Sequence, residues 1–143
     1  MKYITNIDTL SALFDRLITE SIKLYFFKKD NIEDKVKHQE SIIIKIKNKI
    51  VILLRDTYEK REYDYISEKR TFSVENDIVE SLEKLIVNDI NVGECDREKL
   101  KEVRSQNPSI EKMIFNEKKM RKSNEGRAIN KNQIDESYKN LLD

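Results

Sequence analysis

Two glycines and one proline in 143 residues leave this chain very few places to turn tightly. An all-β fold needs many such turns, whereas a few long helices need almost none. The expected fold is therefore all-α: a mostly antiparallel bundle of four to five helices in one domain spanning residues 1–143. The alternative is an α+β fold with a hairpin at 42–54. There IIIKIK and IVILL flank Asn48-Lys49, but a type I′ turn favours glycine at its second position, which weighs towards helix.

Composition qualifies what the residues mean. Lys outnumbers Arg 20 to 8, there are 19 Ile and 12 Asn, and only 2 Ala. Lys, Ile and Asn have AT-rich codons, so the skew points to a low-GC bacterial or phage genome. The Ile excess is then not evidence of strand propensity. The Lys excess is not evidence of nucleic-acid binding, and a net charge of +1 argues against a general polyanion binder. Cys95 is the sole cysteine, so no internal disulfide forms. No basic start with an apolar run opens the chain, and the densest apolar stretch, 42–54, is broken by lysines. A soluble, cytoplasmic protein without membrane contact is expected.

Apolar spacing places the helices. Ile7, Leu10, Leu13, Phe14, Leu17, Ile18, Leu24 and Tyr25 line one face of a first helix, about 7–28, capped by Asn6 or Asp8. A second runs from about Asn31 to Tyr58 and forms the main hairpin with the first. Residues 59–73 read as an irregular internal linker. A third helix starts at Ser73 or Asn76 and stops at Gly93, a natural C-terminal cap; a short piece, Asp96–Arg104, follows. Pro108 then opens a long C-terminal helix, 108–142, with a break expected near Gly126. That helix is apolar at both ends and polar between Lys122 and Gln133. The polar middle reads as either a solvated bridge, the favoured reading, or a polar surface facing something, and the helix as one that projects or packs against another chain.

Several enzyme chemistries lack their residues. One His and one Cys cannot build a usual zinc site. Two distant glycines cannot form a phosphate loop. No nucleophile elbow flanks His38, which reads as a surface residue. The Arg-to-His spacing of small helical ribonucleases is missing upstream of His38. The Glu59-x-x-Glu62 and Glu80-x-x-Glu83 pairs have no Glu-x-x-Asp partner, as the all-α pyrophosphohydrolases require. No cofactor or metal is expected. An enzyme would have to use Glu20 and Glu117 with Arg121 and Arg127, converging as an acid–base or anion site.

Two binding readings remain. In the leading one the chain is a non-enzymatic interaction or assembly subunit of a bacterial or phage multi-protein system. It would contact a second copy or another subunit through Tyr58, Tyr63, Tyr65, Phe72, Met113, Met120 and Tyr138. In the other it is a nucleic-acid-binding accessory protein using Lys118, Lys119, Arg121, Lys122, Arg127 and Lys131, since residues 107–132 carry seven Lys/Arg against three Glu. Residues 74–97 are the acidic counterpart, with seven Asp/Glu against two basic residues.

The segments IDTLSALFDRLITESIKLYFF and NEKKMRKSNEGRAINKNQID resemble small helical bacterial proteins encoded beside glycosyltransferases. The aromatic–acid motif of those proteins has no counterpart in a chain without Trp, and the resemblance carries no function over.

Overall fold

The computed structural model describes residues 9–65 and 77–143 and folds them into four helices. These are α1 (Leu10–Lys29), α2 (Glu33–Lys60), α3 (Ile78–Arg104) and α4 (Ile110–Leu142). The expected all-α bundle is what forms, and the hairpin alternative is not: 42–54 lies inside α2. Gln39, Ile43, Ile46, Ile50 and Thr57 form its buried stripe at three- and four-residue spacing.

Helix ends follow local chemistry. Thr9 caps α1, its Oγ1 accepting from the Ala12 N–H; Asn6 and Asp8 lie outside the described residues. Asn31, at φ 55°, turns α1 into α2 within three residues, using the tolerance of Asn for the left-handed region. Arg61, at φ 53°, ends α2, and the Arg61 and Glu62 N–H groups return to the Thr57 carbonyl. Asp77 caps α3; Ser73 and Asn76 are outside the described residues. Ser109 caps α4, so Pro108 precedes the helix instead of opening it. Thr9 is itself buried. Thr9→Ala is expected to cost about 1 kcal/mol, read from the urea midpoint at unchanged slope; an unchanged midpoint would refute the cap's role.

Both glycines lie inside helices, contrary to the expected stop at Gly93 and break at Gly126. Neither has positive φ. At Gly93 a Cβ would make only an ordinary contact with Ile22 Cγ2 of α1, at 3.8 Å, so the space there does not demand glycine. At Gly126 the reason is α3: a Cβ would stand 2.6 Å from Asn88 Nδ2, the atom that donates to Asn130 Oδ1 at 2.9 Å. Helix-interior glycine costs about 1 kcal/mol relative to alanine, and the close approach of α3 to α4 offsets it.

The largest helix–helix interface joins α3 and α4, followed by α1 with α2, so the first hairpin is not the main one. Asp15, Ile22 and Phe26 of α1 meet Asp89, Gly93 and Arg97 of α3 in the same chain order, so these helices run parallel. Ser11 and Asp15 meet Asp135 and Arg127 of α4 in reverse order. Thus α1 lies in the groove of the α3–α4 hairpin. α2 covers the other side of α1 and reaches α4 through Thr57 and Tyr138, whose hydroxyls are 2.5 Å apart. Leu10, Leu13, Ile46, Leu85 and Ile134 are the best-buried apolar side chains. No helix among the described residues is long and apolar enough to cross a membrane.

Candidate functional site

The polar middle of α4 faces inward, not into solvent. Ser123, Ala128, Asn130, Asn132, Gln133, Ile134 and Asp135 are all buried. A helix whose inner stripe is polar needs partners for it: Asn130 accepts from Asn88 of α3 and donates to Gln133, and two clusters hold Asp135 and Arg127.

The first sits at the start of α1. Asp135 Oδ1 accepts from the Ser11 N–H at 3.0 Å and Oδ2 from the Ser11 hydroxyl at 2.6 Å. The Tyr63 hydroxyl donates to Asp135 Oδ1 at 2.5 Å and accepts the Leu10 N–H at 2.8 Å. Every N–H of the first turn of α1 thereby has an acceptor: Tyr63, Asp135, the Thr9 side chain and the Thr9 carbonyl. A carboxylate at a helix N-terminus also meets the positive end of the dipole. Burial raises the Asp135 pKa, and the Ser11 and Tyr63 hydrogen bonds and Lys131 pull it back. Burial and the adjoining Asp135 carboxyl push the Tyr63 phenol well above its ordinary value, so it stays a donor. Tyr65 is also raised, by burial and by its bond to Glu136.

The second cluster joins three helices. Arg127 of α4 places Nη2 2.8 Å from Asp15 Oδ2 of α1, and Nη1 donates to Asn124 Oδ1 at 2.9 Å. Its Nε lies 2.6 Å from Asp89 Oδ1 of α3, without the alignment of a hydrogen bond. The Asp89 side chain is wholly enclosed. Burial and the neighbouring Asp15 carboxyl push Asp89 up to about 8, against the pull of Arg127 and Lys131. Asp15 Oδ1 and both Asp89 oxygens find no hydrogen-bond donor while both groups are ionised. One proton on Asp89, donated to Asp15, supplies a hydrogen bond between the two facing carboxyls, and Asp89 Oδ1 keeps its close approach to Arg127 Nε.

Arg127 is thus drawn into the interior, but by Asp15 and Asp89. Glu20 is bonded by Gln39 and Lys23. Partial burial opposes ionisation of Glu20, yet those two partners hold its pKa below the ordinary value. Glu117 pairs with Lys99 of α3 at 2.6 Å; each lies on the exposed side of the hairpin, Lys99 holding Glu117 low and Glu117 holding Lys99 high. Arg121 is exposed. Of the four residues expected for an enzyme site, Glu20, Glu117 and Arg127 engage separate partners, and Arg121 acts only on Glu117, helping Lys99 to hold its pKa low. The enclosed Asp89 couples helices and offers no face to a substrate.

The expected nucleic-acid face shrinks to Lys118, Lys119, Arg121 and Lys122, which are exposed; Arg127 and Lys131 face the ionic cluster. Of the residues expected at a protein contact, Tyr58 is exposed, Met113, Met120 and Tyr65 are half-buried, and Tyr63 and Tyr138 are buried against each other, edge to face at 4.9 Å. Phe72 lies outside the described residues. His38 is exposed on α2, and Cys95 is buried within α3. No group of three or more His, Cys, Asp or Glu among the described residues could hold a metal ion.

Sequence reasoning missed Asp15, Asp89 and Asp135. Each is a single acidic residue recurring at helical spacing with the apolar stripe: Asp15 with Ser11 and Ile18, Asp89 with Leu85, Asp135 with Tyr138. That registration was the available signal. It also missed the apolar outer surfaces. Ile44, Val51 and Tyr58, seven residues apart, stand on the outer face of α2 beside Ile52. Leu100, Val103, Ile110, Ile114 and Phe115 are exposed around the α3–α4 turn. Comparison of the chain with protein-family models, curated proteins and solved structures finds no match.

Proposed function

We propose that this chain is a non-enzymatic interaction subunit of a multi-protein assembly, of bacterial or phage origin as its codon skew suggests. The observation that carries the reading is an inverted distribution of polarity. Asp89, Asn130, Asn132 and Asp135 are inside, while Ile52, Ile110 and Phe115 are 64%, 73% and 66% exposed. Scattered exposed apolar residues are ordinary, but a run with helical period is the mark of a contact surface. Ile44, Val51 and Tyr58 form such a run, and a partner helix laid along α2 would cover it. The ionic cluster serves this role by fixing α1, α3 and α4 as a rigid support.

The test is native mass spectrometry of the full chain isolated from the cells that make it, compared with an Ile44→Asp/Val51→Asp/Ile52→Asp variant. The wild-type chain is expected in a stoichiometric complex with another protein, and the variant without that protein at unchanged far-UV helicity. A partner retained by the variant, or a chain carrying only nucleic acid that salt removes, would overturn the reading.

A further inference from the structure

A second surface, on the opposite side of α1 from α2, points to a specific occupant. Between the parallel helices α1 and α3 runs an open apolar groove of about 620 Å³, lined by Leu17, Ile22, Tyr25, Ile86 and Ile90, with Gly93 along α3. Its α3 edge has a heptad pattern. Val79, Ile86, Gly93 and Leu100 recur every seven residues, and Glu83, Ile90, Arg97 and Arg104 recur every seven between them. This is the alternating three–four spacing of a helix–helix seam. The buried residues of α3 — Ser81, Leu85, Asp89 and Cys95 — occupy a different face, so the seam is not the one packed on α4.

Charge along the seam reverses about its centre. Glu80 and Glu83 precede Ile90, and Arg97, Lys101 and Arg104 follow it, outnumbering Glu94 at the groove's edge and Glu98, which pairs with Lys101. Glu83 and Arg97 each stand seven residues from Ile90, about 10.5 Å along the axis. A second α3 laid antiparallel across Ile90 therefore brings Glu83 of each copy level with Arg97 of the other. A parallel copy would oppose like charges. A surface that complements itself under a twofold rotation is what a closed homodimer requires.

We infer that the α1–α3 groove is the interface of a homodimer, in which α3 of each copy packs antiparallel against the other with Ile90 at the twofold axis. The inference deepens the assembly reading but uses a surface other than the α2 face, so the two fail separately. Ile90→Asp is expected to convert the wild-type dimer to a monomer of 17.1 kDa in native mass spectrometry, at unchanged helicity. Glu83→Arg and Arg97→Glu should each weaken dimerisation about tenfold, and the double exchange should recover most of that loss. Ile90→Cys, in a Cys95→Ser background, should form an intermolecular disulfide. A wild-type monomer at high micromolar concentration, a dimer indifferent to Ile90→Asp, or a double exchange no better than the single ones would overturn the inference. A hetero-complex that survives Ile90→Asp and is lost on altering α2 would leave the assembly reading standing alone.

Discussion

Arg127→Ala is expected to lower the unfolding free energy by about 3–5 kcal/mol, the usual cost of removing one partner from a buried ion pair. That is a large share of the about 5–15 kcal/mol typical of a domain. The loss arises because Asp15 and Asp89 remain facing each other among α1, α3 and α4 with their main counter-charge gone. Urea denaturation at neutral pH measures it; a loss below about 1 kcal/mol, the value of an exposed pair, would show that the cluster is not a structural tie.

The same cluster sets a pH dependence. Asp89 holds its proton up to about pH 8 when folded, against an ordinary value of 3.8. The folded state therefore binds more protons than the unfolded state across that window. Its stabilisation is complete below about pH 4 and is lost as the pH rises through about 8. Asp89→Asn should flatten this slope, because the amide donates to Asp15 at every pH and adds no second charge. It should also be more stable than the wild-type chain above pH 8. A slope that persists in Asp89→Asn would assign the effect to other groups.

Asp135→Ala is the second large effect. It strips the acceptor from the Ser11 N–H, the Ser11 hydroxyl and the Tyr63 hydroxyl at once. Each orphaned buried donor costs about 1–3 kcal/mol, so a loss of about 3 kcal/mol or more is expected. Tyr63→Phe should cost less, since it removes one hydroxyl and leaves the Asp135–Ser11 bonds in place. Hydrogen exchange distinguishes the two variants: Asp135→Ala should expose the Ser11 amide, and Tyr63→Phe the Leu10 amide. Protection retained at Ser11 in Asp135→Ala would mean that another acceptor holds the start of α1.

Much of the backbone was legible in the residues. The stripes Leu10–Leu13–Leu17 and Ile43–Ile46–Ile50 place α1 and α2 because burying an apolar face at 3.6-residue spacing is a local demand. Helix ends were read less well. Gly93 and Gly126 look like stops, since glycine is the usual residue beyond a helix C-terminus; only the Asn88 side chain reveals that Gly126 is a point of close contact between α3 and α4. The polar middle of α4 leaves solvated and inward-facing readings both open, because no local feature distinguishes a solvated Asn130 or Gln133 from an enclosed one. The difference lies in Asn88, which is 42 residues away from Asn130.

What the sequence determined by itself is the class of object: a helical chain without the His, Cys and Gly residues of the familiar catalytic and metal motifs. Composition and periodicity are sums over neighbours, and they suffice for that. Which charges are buried, and which apolar faces are left outside, was decided only by tertiary structure. Arg127 lies 112 residues from Asp15 in the chain and 2.8 Å away in space. The pairing of such groups is set by how α1 lies in the α3–α4 groove, and their shared proton follows from that enclosure.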